Sequence, residues 1–333
     1  LIGLLGLLVA MDKVHLVILY VAAFLLGTAE TLFDNASQAL MPSLVDRSAL
    51  ETANGRLYAA EIVTNQFIGP PLGGFLFAAA AATPFLLDAG SFIGAAILVA
   101  LIPGTFRVVQ PRTETDGSPT EAVRHRIRTD IAEGLRWLWG HRLLRSIAMA
   151  LGVTNLLNAA GMGVMVLLAQ DELGLGSAGY GVLLTAGAIG SVAGGLVASR
   201  ISVRWGPGPT LIGCLVMMGL QDLGIALASS AWLAGTALVL GGVSAVTWNV
   251  LTVSLRQSII PDRLLGRVNS AYRFLGWGAI PVGALVGGVL ANAFGLRAPF
   301  FVSAVGNVVL AALLVGAVNT RSIEDARAQA TAN

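Results

Sequence analysis

Gly27-Thr28-Ala29-Glu30-Thr31-Leu32-Phe33-Asp34 returns 215 positions later as Gly242-Val243-Ser244-Ala245-Val246-Thr247-Trp248-Asn249. Glycine opens both segments, small residues follow, and an aromatic residue (Phe33, Trp248) precedes a polar one (Asp34, Asn249). At the same offset Asn54 matches Asn269. One residue of slippage then pairs Tyr58 with Tyr272, and Gly69, Gly73 and Gly74 with Gly283, Gly287 and Gly288. Both copies carry Asp-Arg in the preceding loop, at Asp46-Arg47 and Asp262-Arg263. The chain therefore reads as two related halves, and the fold follows from what each half is made of.

Each half is made of apolar runs. Of 333 residues 56% are hydrophobic and 11% charged, against roughly a quarter charged in a soluble domain. A helix needs about 20 apolar residues to cross a bilayer. After an apolar segment at residues 1–11, nine such stretches follow, at 14–40, 56–80, 84–103, 146–170, 177–199, 209–228, 232–255, 266–292 and 295–317. Membrane strands would be about ten residues long with strict alternation, and nothing here alternates that way. The expected class is an all-α, multi-pass membrane protein. Cys214 is the only cysteine, which excludes a disulfide framework and a cysteine metal site. His15, His125 and His141 are scattered. No metal and no cofactor are expected, and a net charge of +2 is too small to indicate nucleic acid.

The basic residues orient the spans. Arg107, Arg112, Arg124, Arg126, Arg128, Arg136, Arg142 and Arg145 share one long loop. Arg47 and Arg56, Arg200 and Arg204, then Arg256, Arg263 and Arg267 fall in every second connection, and Arg321 and Arg327 in the tail. With the long loop cytoplasmic, 17 basic residues lie inside, Lys13 and Arg297 lie outside, and Arg273 lies within a helix. That is the positive-inside pattern, and it puts the C-terminus in the cytoplasm.

The repeat keeps one orientation in both copies, because the basic loops agree. Parallel repeats about an axis normal to the membrane describe the two halves of one large transporter class. The expected division is 1–103 for the remainder of the first half, 104–145 for a linker, 146–318 for a six-helix second half and 319–333 for a tail. Carrying the offset back from the span near residue 146 places roughly 70 residues, with two spans and the start of a third, ahead of Leu1. In the linker, Ser118-Pro119-Thr120-Glu121 forms a capping box. Val123, Ile127, Ile131 and Leu135 follow at a spacing of four, as in an amphipathic helix lying on the inner leaflet.

On these features the sequence resembles the major facilitator superfamily, and within it the bacterial efflux branch of drug and siderophore exporters. Met41-Pro42-Ser43-Leu44-Val45, Ala53-Asn54 and Gly69-Pro70-Pro71-Leu72-Gly73-Gly74 carry the likeness. The last matches the Gly-Pro-x-x-Gly-Gly end of the family's antiporter motif, while Asn65 and Arg56 stand where the pattern has glycine. The resemblance implies two pseudo-symmetric six-helix halves in a bacterial inner membrane, a monomer, and export of a small molecule by alternating access. It also implies that the fifth helix packs on the eighth and the eleventh on the second.

Acids within a span cost about 2.5–3.5 kcal/mol on insertion scales, so each needs a reason. Glu30 and Asp34 share one helix face, as a proton-coupling pair or as packing contacts; Trp248 and Asn249 stand opposite them in the repeat. Asn155, Asn158, Asn65 and Gln66 are further cavity candidates, or helix–helix contacts. Glu61 and Arg273 sit inside matching helices as ion-pair or gating residues, with Asp46, Arg47, Asp262 and Arg263 in the loops. Asp88 and Asp222 read as solvated residues near the outer ends. Gly69, Pro70, Gly73, Gly74, Gly283 and Gly287, together with Gly190 and Gly194, read as close-packing or bending positions. Nothing forms an enzyme's nucleophile–base cluster. The expected function is efflux of a drug, siderophore or metabolite in exchange for protons. The alternatives are uncoupled transport and a non-transporting remnant.

Overall fold

The apolar stretches are helical over most of their described residues in the computed structural model, which describes residues 1–11, 15–69, 72, 76, 80, 82–101 and 132–332. The first half supplies α1 (Ile2–Ala10), α2 (Leu16–Leu44), α3 (Leu50–Ile62, continued by a π-helical segment Val63–Ile68) and α4 (Thr83–Ala100). A short helix α5 (132–140) leads into the second half. There follow α6 (Arg142–Met162), α7 (Ser177–Trp205), α8 (Pro207–Ala226), α9 (Ala231–Ile259), α10 (Asp262–Phe294), α11 (Ala298–Leu314) and α12 (Thr320–Ala332). Among the described residues, six helical segments are long and apolar enough to cross a membrane.

Local chemistry sets the breaks. α7 stops at Gly206, whose φ of 85° suits glycine, and Pro207 opens α8, where its missing N–H costs nothing. α10 stops at Gly295 with φ 92°. Ser230 caps α9 by accepting from the Leu233 amide at 3.4 Å. α4 has no buried residue and exposes Phe92, Ile93, Ile97 and Leu98. One side of α4 packs on α1, where Gly3 and Gly6 approach Ala89, Phe85 and Leu86, and its remaining apolar surface suits lipid contact.

Two apolar clusters fill the second half. One, around Leu144, Leu211, Leu251 and Leu255, lies toward the end where the arginines gather, called here the basic end. The other, around Met165, Leu168, Ile225 and Phe300, lies toward the opposite end. Small residues allow close crossings. A Cβ on Gly194 would meet the Val243 backbone of α9, the oxygen at 2.6 Å, and Gly190 lies against Val239 in the same way. Gly283 and Gly287 lie against the Leu156 and Ala160 carbonyls of α6. These ladders are close-packing positions that join helices inside the second half.

The seam between halves runs elsewhere. α3 packs on α7 and α9, while α2 touches α9 and α10. At the α3–α7 crossing Gly55 and Gly195 face each other so closely that a Cβ on either would strike the other's carbonyl oxygen. It is a close crossing between helices of different halves.

Candidate functional site

At the centre of the seam, Arg273 Nη2 on α10 donates to Asp34 Oδ2 on α2 at 3.0 Å. The Arg273 side chain keeps 14% of its surface and that of Asp34 39%. Arg273 also rests over the Trp277 ring, 4.6 Å from its centroid, and its Nη1 has no hydrogen-bond partner. Glu61 on α3 lies within electrostatic reach of both Asp34 and Glu30. Glu30 and Glu61 are exposed, and of the three acids Asp34 is the one shown on the guanidinium. Arg273 thus pairs across the halves with Asp34 and not with Glu61.

Nearer the basic end a polar clasp joins the halves. Asn54 Nδ2 on α3 donates to Ser254 Oγ at 2.9 Å and Gln257 Oε1 at 2.7 Å, both on α9. Gln257 Nε2 donates in turn to the Gln38 carbonyl on α2 at 2.8 Å. Asn54, Ser254 and Gln257 are all buried, where an unmade hydrogen bond is costly. Beside the clasp, Arg256 is 3% exposed, donates to Asn269 Oδ1 and lies 3.9 Å from the Tyr272 ring centroid. Tyr58 interacts electrostatically with the same guanidinium. The repeat pairs Asn54/Asn269 and Tyr58/Tyr272 therefore converge on the end of α9. Arg256, read from the sequence as a residue of a cytoplasmic connection, is a buried helical residue.

Among the described residues, every hydrogen bond shown between residues 1–101 and 132–332 lies from Asp34 toward the basic end. The halves are joined at that end.

Other expected residues fall differently. Trp248 is packed into the core at 2% exposure and lines no open cavity; Asn249 is half-buried. Asn155 donates to the Gly276 carbonyl at 2.9 Å, a helix–helix contact. Asp222 is not solvated: it is 6% exposed and accepts from Asn307 Nδ2 at 3.1 Å. Asp88 is exposed, and Ser91 Oγ donates to its carbonyl. Gly69 follows the π-helical segment, and a Cβ there would meet only the Thr64 carbonyl. Asp46 is exposed. Pro70, Pro71, Gly73 and Gly74, the linker capping box and the side chains of Gln66, Arg47, Asp262 and Arg263 lie outside the described residues. Leu135 is on α5, which packs on the start of α10: Glu133 pairs with Arg267 and Gly134 lies against the Arg267 backbone. Gln257, Ser254 and Arg256 were missed because polar residues near a helix end read as solvated.

A family model described as transmembrane secretion effector matches residues 3–333. The chain belongs to that family, a branch of the major facilitator superfamily. It is similar to the multidrug efflux pump Tap of Mycobacterium tuberculosis (strain ATCC 25618 / H37Rv), 26% identical over 298 residues. That match covers 87% of this chain and 67% of the relative. Tap of Mycolicibacterium fortuitum is 24% identical over 330 residues, covering 96% of this chain and 76% of that one. A solved bacterial homologue of the iron transporter ferroportin, in an outward-facing state, superposes with a TM-score of 0.68 at 19% identity. It covers 95% of this chain and 79% of that chain, and it shows the shared fold. The chain is a multi-pass membrane protein of a transporter family and not an enzyme.

Proposed function

We propose that the protein exports a small organic molecule across a bacterial cytoplasmic membrane by alternating access, in exchange for protons. The Asp34–Arg273 pair carries this reading, because it ties the two halves together through a group that a proton can neutralise. A proton on Asp34 leaves Arg273 without its partner in a site it barely exposes, which weakens the closed seam. Coupling of this kind needs a ligand that favours one state over the other, and it typically amounts to about 1–3 kcal/mol. Glu30 and Glu61 supply further protonation sites and an acidic lining. The similarity to multidrug efflux pumps supports export of drug-like molecules. In this reading the basic end and the C-terminus face the cytoplasm, as the positive-inside pattern suggests, and the contacts between the halves named above close the seam on that side.

The test uses everted membrane vesicles holding a respiratory proton gradient. Adding a panel of amphipathic drugs, a siderophore and neutral metabolites should dissipate the gradient for at least one compound, only when the protein is present. Accumulation of a compound with no proton movement would replace antiport with uncoupled transport.

A further inference from the structure

The last helix, α12, has a use that the transport cycle above does not assign. Val318, Ile323 and Ala326 keep 2%, 0% and 6% of their surface within the basic-end core. Ile323 and Ala326 fix α12 against the ends of α8 and α9. Its start is seated tightly: Gly208 lies so close to the Asn319–Thr320 backbone that a Cβ there would come within 2.5 Å. Asn319 Oδ1 accepts from Ser322 N at 2.9 Å and Ser322 Oγ at 3.1 Å, which pins the first turn. Residues 323, 326 and 327 share one helical face. From that face Arg327 reaches out of its own half, and its Nη2 meets Glu51 Oε1 in the first turn of α3 at 3.2 Å. Glu51 precedes Asn54 of the clasp and Gly55 of the crossing on the same helix. Glu324 and Asp325 are exposed.

We propose that α12 is a strap: a lever seated rigidly on the second half whose Arg327 holds α3 and keeps the basic end shut. A half-exposed ion pair is a modest contact. That strength suits a latch, because a contact of this size shifts a balanced two-state equilibrium severalfold without freezing it. Movement or modification of the tail would then set how readily the transporter opens to the inside.

The inference rests on the alternating-access reading, and the test separates the two. Spin labels at Ser48→Cys and Arg204→Cys, in a Cys214→Ser background, report the width of the basic end by pulsed electron resonance in nanodiscs. The unmodified pair should show a short and a long distance whose ratio moves with pH or drug. Arg327→Glu should raise the long-distance fraction about threefold, and Glu51→Arg combined with Arg327→Glu should restore it. If the parent shows two distances but Arg327→Glu leaves their ratio unchanged, or the double variant restores nothing, the strap is wrong. If the parent shows one distance at every pH and with every drug, alternating access itself fails.

Discussion

Asp34 and Arg273 lie 239 residues apart in sequence and 3.0 Å apart in space, on helices from different halves of the bundle. Asp34 stands ten residues before the end of α2, so the pair sits about 15 Å inside the basic end at 1.5 Å per residue. Below it come the Asn54 clasp, the Gly55–Gly195 crossing and the Glu51–Arg327 pair. The contacts thus form a column in which one titratable pair tops a set of tight, mostly neutral ones.

The glycine crossing tests the seam sterically. Gly55→Ala or Gly195→Ala puts a methyl group into a backbone carbonyl, and overpacking of this kind costs about 1–3 kcal/mol. Either variant should transport poorly and melt lower in detergent. Gly90→Ala on the open side of α4, with nothing within 4 Å, should match the parent. Equal melting points for all three would contradict the close crossing.

Asn54 and Gln257 should act as one unit. Asn54→Ala strands buried acceptors on α9, and such a loss costs about 1–3 kcal/mol. In a double-mutant cycle with Gln257→Ala, read by thermal unfolding, the expected coupling is about 0.5–3 kcal/mol. Strict additivity would show that the clasp contributes nothing between the halves.

Arg256 depends on Asn269. Asn269→Leu removes the Nη1 acceptor of a guanidinium that is 3% exposed and whose Nε donates to the Thr252 carbonyl. A buried donor left unmade costs about 1–3 kcal/mol. Asn269→Asp, which keeps an acceptor, should remain near the parent. The melting temperatures of the two variants should separate clearly; similar losses would mean that Asn269 serves only to fill space.

His141 gives a pH dependence outside the spans. Its Nδ1 accepts from the Leu144 amide at 3.4 Å to cap α6, and its ring stacks on Trp137 at 5.4 Å. Burial pushes its pKa below the usual value. The unfolded chain takes up a proton near pH 6.5 while the folded chain resists. Stability contributed here is therefore present above about pH 6.5 and falls as the medium becomes more acid. His141→Asn keeps a capping acceptor and should flatten that part of the stability–pH curve. An unchanged slope would assign it to other groups.

Much of the fold was legible because membrane burial imposes simple rules: apolar length marks spans, and arginine parity orders them. The repeat also marked Asn54, Asn269, Tyr58 and Tyr272 as equivalent positions. Their meeting around the end of α9, with Asn269, Tyr58 and Tyr272 at Arg256 and Asn54 at Ser254 and Gln257, was not legible, since an arginine near a Pro-Asp turn reads as a loop residue. Asp222 misled for the same reason: one turn from a helix end looks solvated, yet Asn307 of α11 closes over it. The partner of Arg273 was open because Glu61 and Asp34 both lie at seam depth, and only the crossing of α2 over α10 chooses between them.

The central claim is that the Asp34–Arg273 pair couples protons to the seam. Its most direct test is proton-gradient-driven drug efflux from cells expressing the parent or Asp34→Asn, followed across pH 6 to 8. Asn fixes the neutral form, so the account expects Asp34→Asn to lose the dependence on the gradient while still binding drug. Efflux by Asp34→Asn that stays as gradient-dependent as the parent would contradict it.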